Sequence, residues 1–184
     1  MQLRNSRAGY GIVARGLHWL VAALIVYQFV LAQRADSATL FEKLGLLATH
    51  KSVGITVLVL AVFRLLWRSY ATVPAPPPNE TGLRSLLARI SHGALYVLMI
   101  VLPLSGWLMS SATNTPVSYF GWLTLPDVVA PSELWANRLM LVHATLFWSL
   151  AVIVAIHAAA ALYHHFILRD NVLRRMLVSS GDTP

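Results

Sequence analysis

The stretch Val142–His165, VHATLFWSLAVIVAIHAAAALYHH, decides the fold. It contains no Asp, Glu, Lys or Arg and is longer than the roughly 20 apolar residues a helix needs to cross a bilayer. Yet it carries His143, His157, His164 and His165. Ionisable side chains are costly inside a membrane and mark function or a specific partner. On an α-helix the 14 residues from His143 to His157 rise about 21 Å and make almost four whole turns. The two imidazoles therefore share one helix face at opposite depths, and His164, seven residues on, lies close to the same stripe. Ligands about 21 Å apart cannot hold one metal ion, but they can serve two centres stacked across the membrane.

The rest of the chain fits this reading. Of its 184 residues 57% are hydrophobic and only 11% charged, against about a quarter charged in a soluble domain. Four segments are apolar enough to span, approximately 12–32, 50–67, 91–110 and 139–166. The first resembles a signal peptide, with Arg4, Arg7 and Arg15 before a run ending VLA. Its length and His18 favour a retained span. Arg4, Arg7 and Arg15, then Arg64, Arg68, Arg84 and Arg89 of the second connection, then Arg169, Arg174 and Arg175 all fall on one side. Arg34, Lys43, Lys51 and Arg138 fall on the other. The excess of positive charge predicts that both termini are cytoplasmic. A net charge of +7 could suggest nucleic acid, but these cations sit at the ends of apolar segments, where they set orientation. Cysteine is absent, which excludes disulfides, thiolate-bound iron–sulfur clusters and thioether-linked haem.

Each centre needs a second ligand at its own depth. The first span runs outward with His18 near its inner end, level with His157. The second span begins outside with His50, level with His143. Topology thus permits His18 with His157 and His50 with His143. Two bis-imidazole sites in a four-helix bundle are what two b haems require. His92, at the inner start of the third span, rivals His18, though it could equally hydrogen-bond a neighbouring helix. Gly16, Gly54 and Gly106 offer room for a bulky planar group or for close helix packing. Pro103 could bend the third span. PAPPP (Pro74–Pro78) reads as a stiff spacer. The connection 111–137 carries Tyr119, Phe120, Trp122 and Trp135, which suit the head-group level or a cap over the outer end.

ARGLHWL (14–20), THKSVGITVLVLAVFRLLWR (49–68), SHGALYVLMIVLPLSGWLMS (91–110) and IHAAAALYHHFILRDNVLRRM (156–176), in that order, resemble the bacterial cytochrome b561 family. The resemblance covers nearly the whole chain, and its ligand positions fall on His18, His50, His143 and His157. It implies an all-α, four-helix membrane protein across residues 1–184, with two b haems and electron exchange with ubiquinone. Members with this short architecture are similar to superoxide:ubiquinone oxidoreductases of the bacterial inner membrane. Superoxide would then be oxidised outside and ubiquinone reduced inside.

Lys51 adjoins His50 and Arg138 precedes His143 by five residues. Either could draw in a small anion, balance haem propionates or reach lipid head groups. At the inner end His164, His165 and Arg169 are candidates for quinone, since histidine offers both a hydrogen-bond donor and a group that titrates near neutrality. Two rival functions share the pattern. One is a haem-bearing membrane anchor for a larger dehydrogenase or hydrogenase. The other is a histidine-based metal-ion transporter, disfavoured because Asp and Glu are absent from the apolar interiors.

Overall fold

The computed structural model describes residues 3–7, 9–75 and 82–178. Four helices long and apolar enough to cross a membrane dominate it: α1 (Ile12–Ser37), α2 (Leu40–Tyr70), α3 (Gly82–Ala112) and α4 (Glu133–Phe166). A two-stranded hairpin, β1 (Ser118–Tyr119) with β2 (Leu123–Thr124), lies between α3 and α4, and a short α5 (Arg174–Leu177) follows α4.

The helices are longer than the apolar spans. With 26 to 34 residues each they reach about 39–51 Å, beyond a hydrocarbon core of about 30 Å. Polar helix-forming residues and caps supply the difference. Thr39 and Glu42 close a reciprocal capping box at the start of α2, so that helix begins ten residues before His50. Only Ala38 and Thr39 separate α1 from α2. Ser132 caps α4 by accepting from the Trp135 N–H. α3 starts at Gly82, so His92 stands well inside the helix rather than at its opening. Pro103 lies within a continuous α3. Of the PAPPP spacer, Pro74 and Ala75 belong to the described residues; Pro76, Pro77 and Pro78 lie outside them.

α1 packs along α2, α2 against α3, and α3 along α4. α4 meets α1 through side chains: Phe29 stacks on Phe147 with ring centres 5.5 Å apart and planes 14° from parallel. Val21, Ala61, Leu98, Met99 and Leu150, one or more from each helix, form a buried apolar layer at mid-bundle. Leu150 is seven residues from both His143 and His157, so this layer separates the two depths. Phe63, Leu66, Val97, Val152 and Ile156 face outward. On a soluble protein such an apolar exterior would aggregate; on this one it is the lipid-facing surface.

The two ends differ. At one, the N-terminal segment, the α2–α3 connection and the C-terminal segment meet: Ala75 N–H donates to Arg7 O, and Arg175 Nη1 to Ala75 O at 2.6 Å. Trp19 Nε1 donates to Met176 O and Arg15 Nη1 to Leu177 O, docking α5 on α1. At the other end the hairpin is pinned over α2. Ser52 Oγ accepts from Phe120 N–H, and Thr56 Oγ1 meets the Tyr119 hydroxyl at 3.2 Å. The hairpin turns through Phe120, Gly121 and Trp122, the three residues between paired Tyr119 and Leu123, the first two with positive φ.

Candidate functional site

The histidines come together as two pairs, one towards each end of the bundle. Towards the hairpin end, His50 on α2 faces His143 on α4 with ring centres 6.2 Å apart. Towards the end that gathers the termini, His18 on α1 faces His157 on α4, also at 6.2 Å. A metal ion bonded to one nitrogen of each of two imidazoles sets their centres about 6.2 Å apart. That distance is two bonds of about 2 Å plus about 1.1 Å within each ring. Both pairs therefore stand at a separation at which the two imidazoles could hold one iron between them. His92 on α3 is nearer to His157, at 5.3 Å, which is too close for the same arrangement.

The surroundings of His143 test the fit further. Ser105 Oγ lies 2.9 Å from His143 Nδ1 and 2.7 Å from Leu102 O. A hydroxyl has one hydrogen and a carbonyl has none, so Ser105 donates to Leu102 and accepts from His143 Nδ1–H. That fixes the tautomer with the Nε2 lone pair free for iron, the outer-partner arrangement typical of metal-bound histidine. Gly106 lies beside the same ring. A Cβ there would stand 3.0 Å from His143 Cε1 and 3.3 Å from Nδ1. A side chain at 106 would fit only if the His143 ring gave way by a few tenths of an ångström. Gly54 leaves room for Gln28, whose Nε2 donates to His50 O across the α1–α2 interface. Gly16 has open space where a Cβ would go, so packing does not demand glycine there. His50 Nδ1 is buried and unpartnered among the described residues.

Sequence reading missed three of these neighbours, Gln28, Ser105 and Arg64. Arg64, counted there with the second connection, lies within α2, and its Nη2 stands 2.9 Å from His18 Nδ1. A signal existed: Arg64 follows His50 by 14 residues, the spacing that relates His143 to His157.

The other candidates are engaged locally. Lys51 Nζ donates to Thr115 O at 2.8 Å and to its hydroxyl at 3.2 Å, tying α2 to the α3–β1 connection. The Arg138 guanidinium lies over the Trp135 ring. Trp122, 91% exposed, and Phe120 and Trp135 point outward, whereas Tyr119 covers α2. The aromatic connection therefore lays Tyr119 over α2 and leaves Phe120, Trp122 and Trp135 exposed. Beyond α4, His164 Nδ1 pairs with the Asp170 carboxylate, and Asp170 Oδ1 accepts from Val172 N–H. Burial opposes the charge of Asp170. The hydrogen bonds from His164 and Val172, with the nearby His164 and Arg175 charges, hold its pKa below the ordinary value all the same. Arg169 adopts a positive φ in this turn, and the His165 ring packs against Phe166. Among the described residues no three His, Asp or Glu side chains converge to hold a bare metal ion.

The family profile for prokaryotic cytochrome b561 matches residues 9–178. The chain belongs to the prokaryotic cytochrome b561 family. Cytochrome b561 homolog 2 of Escherichia coli (strain K12) is 35% identical over 183 residues, 98% of this chain and 97% of the relative. A probable superoxide oxidase CybB of Yersinia pestis is 31% identical over 172 residues, 91% of this chain and 95% of its own. As a cytochrome b561, the protein is a multi-pass, membrane-embedded redox protein that transfers electrons with b-type haem. The histidine pairs of the cytochrome supply two places whose spacing fits that group; the His143 tautomer fits it too, whereas the Arg64 guanidinium would have to leave His18 Nδ1 before Nε2 could bind iron.

Proposed function

We propose that this cytochrome oxidises superoxide at the hairpin end, on the periplasmic side of a bacterial inner membrane, and reduces ubiquinone at the cytoplasmic end that gathers the termini. The observation that carries the reading is the presence of two histidine pairs at one separation, 6.2 Å, at opposite depths of the bundle. Two b haems, one held by His18 and His157 and one by His50 and His143, would supply a one-electron relay between the faces. Superoxide as the donor is supported by likeness to the probable superoxide oxidase of Yersinia pestis. The orientation follows from the ten arginines towards the termini.

The chain's own residues divide the work. His50, His143, His18 and His157 bind; Ser105 and Gly106 hold His143 in its tautomer and place. Lys51 and Arg138 present positive charge at the mouth where the anion arrives. His164, paired with Asp170, holds a proton at the inner interface next to the stripe of His157, with His165 and Arg169 adjacent. Two superoxide ions become two molecules of dioxygen and release two electrons; one quinone takes these with two protons and leaves as quinol. Stopped-flow haem spectra resolve the halves. Superoxide alone should reduce the haems, and ubiquinone should reoxidise them. In His164→Ala the first half should persist while the second slows about 100-fold or more, the range for a lost general acid. Reoxidation at full rate in His164→Ala would remove His164 from the quinone site. No haem reduction by superoxide in the unaltered protein would remove superoxide as donor.

A further inference from the structure

We propose that Arg64 and Ser105 act as positioning residues that make the two haem centres unequal, Arg64 raising electron affinity at the His18–His157 centre and Ser105 lowering it at the His50–His143 centre. The inference rests on the two-haem reading above and adds to it a direction.

Ser105 is buried on α3, with its only hydrogen committed to Leu102 O. It can therefore only accept at His143 Nδ1. Drawing on the Nδ1 proton leaves more electron density at Nε2, and a more basic ligand favours oxidised iron. At the other centre the partner is a cation. Arg64 has no acceptor, keeps its charge at any pH, and reaches His18 Nδ1 at 2.9 Å. Ligation through Nε2 puts the neutral ring's proton on Nδ1, which cannot donate to a guanidinium. Arg64 then turns off the ring, but α2 keeps its charge within a side-chain length of the centre. A half-buried cation favours whichever state carries one more electron.

The other charges do not even the balance. Lys51 is next to His50 in sequence and its charge acts on that end as well, but its ammonium is engaged by Thr115 O and Oγ1, whereas the Arg64 guanidinium reaches a ring nitrogen of His18 itself. Arg68, one turn beyond Arg64, is exposed and adds to the same end. Asp36, Glu42 and Glu133, near the hairpin end, are matched there by Arg34, Lys43 and Arg138, and Asp170 at the other end is paired with His164, so these charges leave the difference to Arg64 and Ser105. Electrons thus run downhill from the hairpin end to the end that gathers the termini. The fold needs no change of shape to give that direction.

The test is an optical redox titration of the full-length purified protein, with haem content measured by pyridine haemochrome on the same samples. The unaltered protein should show two one-electron components. His50→Ala, retaining the His18–His157 centre, should show the higher one. Arg64→Gln should lower the higher component by about tenfold in its equilibrium constant or more, about 59 mV for one electron, with the lower one unmoved. Arg64→Lys, which keeps the charge, should restore most of it. Ser105→Ala should raise only the lower component. With two haems still bound, a shift of the lower component in Arg64→Gln, or of neither, overturns the proposal. Should Arg64→Gln lose a haem, Ser105→Ala decides, and a lower component that does not rise overturns it. A content below two haems in the unaltered protein instead contradicts the two-haem reading, and the proposal falls with it.

Discussion

His143 shows how closely a single residue is determined. Its Nδ1 proton goes to Ser105, and one face of its ring is backed by the hydrogen of Gly106 where any other residue would bring a methyl group. Gly106→Ala needs the ring to move by a few tenths of an ångström, and rotamers in a packed helix interface yield little. The expected result is a weakened hairpin-end haem, seen as lost or shifted absorbance of one of two components, with the other intact. An unaltered spectrum and haem content would show that His143 has slack that its contacts do not suggest. The same selectivity applies to the ligands. His50→Ala or His143→Ala should remove one haem, and His18→Ala or His157→Ala the other. His92, 5.3 Å from His157, is too near for axial ligation, so His92→Ala should retain both haems. If His92→Ala instead removed a haem while His18→Ala kept both, the pairing at that end would be reversed.

Among the elements, α4 carries one histidine of each pair, His143 and His157, on one stripe, 14 residues and about 21 Å apart. That much was legible in the sequence, since depth and helical phase both follow from residue number. The depth-matched pairing was legible for the same reason. What was not legible is how far helices run beyond lipid. Hydropathy ends near His50 and Ser91, but backbone hydrogen bonding continues through Leu40–Thr49 and Gly82–Ile90, where capping and helix propensity take over from apolarity. The outer connection was half legible: its aromatic residues marked an interface, while the pinning of Tyr119 by Thr56 depends on a contact between distant segments. Lys51 now has two roles to separate, a structural bond to Thr115 and an attraction for anions. Lys51→Met should slow haem reduction by superoxide a fewfold at low ionic strength and flatten its salt dependence, because screening acts on the long-range attraction alone. An equal slowing at every ionic strength would assign Lys51 to holding the connection.

At the scale of the whole molecule, the protein is a helical bundle with one histidine pair towards each end and an apolar cluster between them. Val21, Ala61, Leu98, Met99 and Leu150 fill the middle, so no polar group among them offers a proton path between the centres. The polar chemistry is displaced to the ends, with Lys51 and Arg138 at one and the His164–Asp170 pair at the other. All of this turns on whether the two histidine pairs each hold a haem. Pyridine haemochrome analysis of the purified protein against its chain concentration measures that directly. Two b haems per chain, both released by acid–acetone because no cysteine anchors them, is the predicted result. One haem per chain, or haem that stays on the polypeptide after extraction, would contradict the account.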